Sequence, residues 1–329
     1  MLTKRENLLE TIRGGNPDRF VDQFEAFSSL RRTPVTAKSP RPVKGGPSVV
    51  NDWGVTLVYP ANTPGSFPVH DDAHKVIKDI EHWRDYVKAP RLDYTEEDWA
   101  PYIQQAEAID RKEYFVTATI APGIFEQCHH LMGMMDALMA FYEYPDEMHE
   151  LIDFLAEWEL GYAEQFCKYV KPDALFHHDD WGSMISSFLS PEMFEEFIVP
   201  AYKKVYGSYK AHGVEVIVHH SDSYAANLVP AMIDIGIDIW QGCSTTNNVP
   251  ELVKKYGGKI SFMGNIDSGV VDKENWSMEQ IMAETRRACE TCGKHYFIPN
   301  TTVGGPTSTF PGVYEAVSQC IHKMSEEMF

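Results

Sequence analysis

The chain has 329 residues, with 29 Lys+Arg against 48 Asp+Glu, for a formal charge of −19. Hydrophobic residues at 43% and charged residues at 23% make an ordinary globular composition, long enough for one large α/β barrel or two domains. The negative charge argues against nucleic acid and anionic membrane surfaces as main partners, since both are polyanions. No apolar run approaches the roughly 18 residues a spanning helix needs. The charged N-terminus, Met1-Leu-Thr-Lys-Arg-Glu-Asn7, lacks the apolar stretch of a secretory signal, so the expected location is cytoplasmic. The six cysteines are accordingly read as free thiols rather than a disulfide framework.

In chain order, Phe20–Phe24 is a candidate first strand. Arg31–Ser48, rich in Pro, Lys, Arg, Ser and Gly, reads as a long loop or lid. Val49–Asp93 has short apolar runs broken by Pro, Asn and Gly, the pattern of a hairpin elaboration, so 31–93 is read as a lid and hairpin insertion in one domain spanning 1–329. From about residue 114 strands and amphipathic helices alternate. The strands are expected at Tyr114–Ile120, Ala174–Asp179, Glu215–His220, Ile237–Gln241, Lys259–Gly264 and Tyr296–Pro299. Between them, Met134–Tyr144 has helical spacing, and Pro145 suits the first position of a helix running to Tyr169. Ser190-Pro191 and Ser277-Met-Glu-Gln280 are helix starts. Serial βα units at this length predict an α/β fold, a (β/α)8 TIM barrel; a doubly wound sheet would want a G-x-G-x-x-G turn, which is absent.

A barrel builds its site where strands end. Those positions read Ala121-Pro-Gly-Ile-Phe-Glu126, His177-His-Asp-Asp-Trp-Gly182, His220-Ser-Asp-Ser223, Gly242-Cys-Ser-Thr245, Asn265-Ile-Asp267 and Asn300-Thr-Thr302. His219 and His220 point to opposite faces of their strand, while His220 and Asp222 share one. A histidine and a carboxylate suit Zn2+. Equally, Asp222 serves to orient His220 or to cap a helix at Tyr224, and both readings stay open here. In the 177–180 quartet one His and one Asp are expected to face the helices and be satisfied by hydrogen bonds, leaving the others for acid–base or ligand work. Cys289-x-x-Cys292-x-x-His295 has no second pair and is read as packing, as is Cys128-His-His130 after Glu126. Met132, Met134, Met135 and Met139 are read as helix core or pocket wall. P-loop, H-E-x-x-H and G-x-S-x-G motifs are absent.

Four segments in order carry a family likeness: Leu2–Arg19; Asp180-Trp-Gly182 followed by Leu189–Pro200; Val218-His-His-Ser-Asp222; and Met263-Gly-Asn-Ile-Asp267. Together they resemble the uroporphyrinogen decarboxylase superfamily over nearly the whole chain. The resemblance implies a (β/α)8 barrel and one of two activities. Decarboxylases of the family carry an R-Q-A-G-R clamp for porphyrinogen carboxylates; here the matching region reads Phe24-Glu-Ala-Phe-Ser-Ser-Leu-Arg-Arg-Thr33. The other branch, corrinoid-dependent methyltransferases, uses zinc at the barrel mouth and exchanges a methyl group with cobalt in a separate corrinoid protein. Thiol-activating members use H-x-C and a later Cys; here the motif is His220-Ser-Asp222 and the later position falls near Thr301.

Oxygen ligands in place of thiolates make a harder metal, suited to polarising an ether or phenol oxygen. The resemblance therefore implies an O-demethylase-type methyltransferase moving a methyl group from a small methylated aromatic substrate, a phenyl methyl ether, to Co(I). Zinc would sit on His220, Asp222 and Cys243. Asp180, His178 and Glu126 would be catalytic, with Trp181, Phe125, Met134, Tyr224 and Asn265 around the substrate. The chain lacks the D-x-H-x-x-G motif that binds cobalamin, so the methylcobalamin or other corrinoid is expected on a partner, with 31–48 as a docking or gating element. The rival classes are a decarboxylase of a small or tetrapyrrole carboxylate acting without metal, and a noncatalytic barrel that binds a corrinoid or tetrapyrrole.

Overall fold

The computed structural model describes every residue except Pro64 and Thr307. Its main sheet has seven parallel strands: β1 (Phe27–Leu30), β2 (Phe115–Ile120), β3 (Ala174–His178), β4 (Val216–His220), β5 (Ile239–Cys243), β6 (Ser261–Ile266) and β7 (Phe297–Thr301). They pair in chain order without a reversal, so there is no switch point of the doubly wound kind. The six strands expected after residue 114 are all present, displaced by at most a few residues.

The first strand is not where the sequence put it. Phe20–Phe24 is irregular: Phe20 N–H donates to Ser325 Oγ at 3.0 Å. Gln23 has a φ of 52° and its amide donates to Ser318 Oγ on the C-terminal helix, Val313–Met328. Glu25 N–H turns back to Asp22 O. Val21 and Phe24 do enter the barrel interior, so the apolar pattern was a burial signal without a partner strand. Closure as eight strands is not seen either: among the described residues no ladder joins β1 to β7, and the sheet is a curled, TIM-barrel-like seven-stranded one.

Alternation along each strand divides the core in two. Phe115, Ala174, Val216, Val218, Ile239, Met263 and Ile298 face inward. Leu8 joins them from the capped helix Lys4–Arg13. Val116, Leu175, Ile217, Trp240, Phe262 and Phe297 face the helices. Both faces are thus apolar, as a parallel sheet under helices requires. The same alternation carries into the strand ends, and decides which polar residues meet.

The insertion contains a three-stranded antiparallel sheet, Val49–Val50, Thr56–Val58 and Phe67–Pro68. The 31–48 stretch, with a short helix Pro34–Ala37, lies on the helix Pro145–Tyr169: Thr33 Oγ1 and Tyr162 OH are 2.6 Å apart, and Trp53 meets Trp158 edge to face. The chain then returns along the site: Val76 and Ile77 N–H both donate to Leu131 O, and Lys75 pairs with Asp136. No helix of the described residues is long and apolar enough to cross a membrane.

Candidate active site

The register of β3, β4 and β5 sets His178 opposite His220 and His220 opposite Gln241. All three point inward, with the ring of Phe176 below His220 at 5.8 Å between centroids. The two imidazoles stack at 4.3 Å. Their outward neighbours are structural. His177 bonds the Glu159 carboxylate at 3.0 Å. His219 lies between Tyr206 OH (2.7 Å) and Asp179 O (3.1 Å), with Trp181 stacked on its ring at 3.7 Å. The quartet divides as alternation predicts: His177 and Asp179 face the helices, His178 and Asp180 the mouth.

Asp179 organises the mouth from behind. Its carboxylate accepts from Phe125 N–H (3.0 Å), Glu126 N–H (2.7 Å), Trp181 Nε1–H (2.9 Å) and Tyr202 O–H (2.5 Å). Tyr202 OH in turn accepts from Ile124 N–H. These satisfy the first three amides of the helix Ile124–Met132, whose N-cap Gly123 has no side chain to do so. A Cβ on Gly123 would lie 2.4 Å from Asp179 Cβ, so glycine is needed for this approach. The result fixes Glu126, whose Oε2 accepts from His178 Nδ1 at 2.8 Å.

Around His220 the groups form a hollow. Its Nδ1–H donates to Gln241 Oε1, and Gln241 Nε2 donates to Asn300 Oδ1 at 3.3 Å. That leaves Nε2 facing the mouth, 3.9 Å from both Asp180 Oδ1 and Asp222 Oδ2. Ligand atoms of His178, Asp180 and His220 all lie within 4.8 Å of one another. Burial, then the Asp180 charge, pushes Asp222 up to about 8. Burial and the neighbouring His178 hold His220 down to about 4, so its imidazole is neutral. Burial alone would lower His178, but the Glu126 carboxylate raises it to about 10. His178 is thus the cation of the cluster, and the neutral, pre-oriented His220 presents its free Nε2 to two carboxyl groups.

Five predicted site residues are elsewhere. Cys243 is fully buried among the outward residues, its thiol donating to Trp240 O at 3.1 Å. In an unbroken strand Cys243 would share a face with Gln241; the register slips between them, where Gly242 has a φ of 91°, and the slip turns Cys243 outward. A Cβ on Gly242 would stand 3.0 Å from Asp222 N. Gly242→Ala is therefore expected to cost about 1–3 kcal/mol, read by chemical denaturation, and to displace Asp222.

Asn265 also faces outward, donating to Cys292 Sγ at 3.1 Å from a residue with a φ of 62°. Trp181 is core. Phe125 is buried and stacks with Phe141 and Phe188. Met134 lines a separate cleft of about 410 Å3 with His70, Lys75, Met135, Asp136 and Leu138. Tyr224 is half-buried, its backbone N–H bonded to Ser183 O. Asp222 does not cap a helix at 224; Asn247 Oδ1 accepts the N–H groups of Ala225 and Ala226. Sequence reasoning missed Gln241 as the partner of His220, although aligning the strand ends sets them side by side. It also passed over the convergence of Glu126, His129 and His130, visible in their i, i+3, i+4 spacing.

A parallel β/α sheet with histidines and carboxylates gathered at its strand ends defines an enzyme of the TIM-barrel-like class. The profile of the uroporphyrinogen decarboxylase (URO-D) family matches residues 51–324, and the chain belongs to that family. Uroporphyrinogen decarboxylase 2, chloroplastic, of Oryza sativa subsp. japonica is 27% identical over 195 residues, 54% of this chain and 47% of its own length. Uroporphyrinogen decarboxylase of Prochlorococcus marinus (strain MIT 9215) is 31% identical over 150 residues, 45% of this chain and 40% of its own. The matched region thus spans less than half the length of these curated relatives. Among solved structures, a methyltransferase from Methanosarcina mazei shares the fold with a TM-score of 0.64 at 14% identity, over 98% of this chain and 99% of its own.

Proposed function

We propose that the chain is a methyltransferase that moves a methyl group from a phenyl methyl ether to the Co(I) of a separate corrinoid protein, with zinc held by His178, Asp180 and His220 and approached by Asp222. The observation that carries this is the hydrogen bond from His220 Nδ1 to Gln241, which commits Nε2 to the mouth beside two carboxylates. The donor set fits zinc: two imidazoles and carboxylate oxygen, without thiolate. Bound there, zinc supplies Lewis acidity to the ether oxygen as the methyl–oxygen bond breaks.

The protein's own residues do the rest. Gln241, backed by Asn300, holds the tautomer of His220. Glu126 orients His178 through Nδ1. Phe176 closes the hollow beneath His220 with an apolar ring. The methyl group leaves as a cation equivalent to Co(I), which supplies both electrons of the new bond, and the phenolate keeps the pair of the old one.

The full-length likeness to a methyltransferase fold supports this branch. Arg31 and Arg32, where a decarboxylase clamp would stand, are exposed, and Arg32 Nη1 donates to Ala37 O. The curated relatives favour the second reading, a decarboxylase in which Asp180 and His220 act without metal.

The two readings separate in one assay. Purified protein is given guaiacol labelled in its methoxy carbon and a reduced corrinoid protein, and in parallel uroporphyrinogen labelled in its carboxyl groups. Label on cobalt supports the methyltransferase; labelled carbon dioxide without methyl transfer refutes it. Gln241→Leu removes the orienting acceptor and is expected to weaken zinc about 10- to 100-fold, measured by competition with a chromophoric chelator.

A further inference from the structure

Glu126, His129 and His130 lie on one face of the helix Ile124–Met132, at i, i+3 and i+4. One ligand atom from each lies within 4.8 Å of the others. Buried ring nitrogens in proteins are nearly always hydrogen-bonded. Here, among the described residues, neither ring makes a hydrogen bond, and Nδ1 of the buried His129 has no partner at all. The two rings meet edge to face at 4.9 Å, and His70 meets His129 in the same way at 5.8 Å. Glu126 spends Oε2 on His178, which leaves Oε1. A buried and a half-buried imidazole beside a carboxylate, with ring nitrogens uncommitted and the exposed His70 next to them, make a set able to hold an ion.

We propose that Glu126, His129 and His130 form a second cation site, for a divalent transition metal such as Zn2+, with the exposed His70 ring against His129. The class follows from the donors, two or three imidazole nitrogens and one carboxylate oxygen, a set that suits zinc or ferrous iron and not calcium or magnesium. His70, Gly133 and Met134 also line the 410 Å3 cleft at the C-terminal end of this helix. Lys75 on that cleft is neutralised by Asp72 and Asp136 at 2.7 and 2.5 Å. The two sites are joined by the Glu126–His178 hydrogen bond, so the second ion would hold Glu126 in place and, through it, His178.

The test is stoichiometry. Chelator-stripped protein is titrated with Co2+ and with Zn2+, and bound metal is measured by elemental analysis after dialysis. Two ions per chain are expected for the natural protein, one for His130→Ala and one for His220→Ala. If His130→Ala melts early, His130→Gln keeps the bulk while removing the ligand nitrogen, and is expected to hold one ion as well. Equal metal content in the natural protein and in the folded His130 variant overturns the second site. A single ion lost in the His130 variant and kept in His220→Ala would sustain the second site and overturn the one at the barrel mouth.

Discussion

His220→Ala is expected to fold and to lose methyl transfer. The side chain sits in the polar mouth rather than in the apolar core, and its Nε2 faces solvent-side carboxylates. Removing it leaves His178 and the carboxyl groups of Asp180 and Asp222, without the pre-oriented neutral imidazole that the zinc site relies on. Transfer should fall roughly 10²- to 10³-fold, which corresponds to the several kcal/mol that Lewis-acid stabilisation supplies. Metal content at the mouth should fall with it.

The neighbouring His219→Ala gives the contrast. That ring is fully buried between Trp181, Tyr206 and the Asp179 carbonyl. Its loss should cost about 2–4 kcal/mol through a cavity and an unpaired hydroxyl, with zinc retained. A His220→Ala protein that still binds zinc at the mouth and still transfers methyl groups would contradict the assignment.

Asp179→Asn is expected to be the most destabilising polar substitution in the site. Four donors converge on the two carboxylate oxygens, three of them from buried residues and the fourth from the half-buried Glu126. An amide can accept at one oxygen only. If that oxygen keeps Phe125, Trp181 and Tyr202, the NH2 group faces the Glu126 N–H at the position of a 2.7 Å hydrogen bond. Losing a charge-assisted bond and stranding a buried donor together amount to about 3–5 kcal/mol. The melting temperature should drop by roughly 4–7 °C. The functional readout is separate: Glu126 sits on the disturbed turn, so zinc binding should weaken even in the folded fraction. A variant as stable as the natural protein would mean that the helix start does not depend on this carboxylate.

Much of the fold was legible because parallel strands between helices leave strong marks. Val216–His220 and Phe297–Thr301 are continuous apolar runs ending in polar residues, and the helix starts at Ser190 and Ser277 cap as their side chains predict. What the sequence concealed was local backbone geometry. The slip at Gly242 reverses Cys243, and the left-handed turn at Asn265 sends its amide to Cys292; neither φ is written in the apolar pattern. Phe20–Phe24 misled for a different reason: its side chains are buried as a strand's would be, but its amides bond to the C-terminal helix far away in sequence. His178, Asp180 and His220 were readable because alternation and strand-end position suffice. Gln241 required knowing which strand lies beside which.

Metal-dependent methyl transfer at the barrel mouth is tested most directly by elemental analysis of purified protein paired with methyl transfer to a reduced corrinoid protein before and after chelation. At least one zinc per chain is expected, with transfer from guaiacol or veratrole, loss of transfer on chelation and its return when zinc is restored. Transfer that proceeds unchanged in metal-free protein, or metal-free protein that releases carbon dioxide from a carboxylate substrate instead, would contradict it.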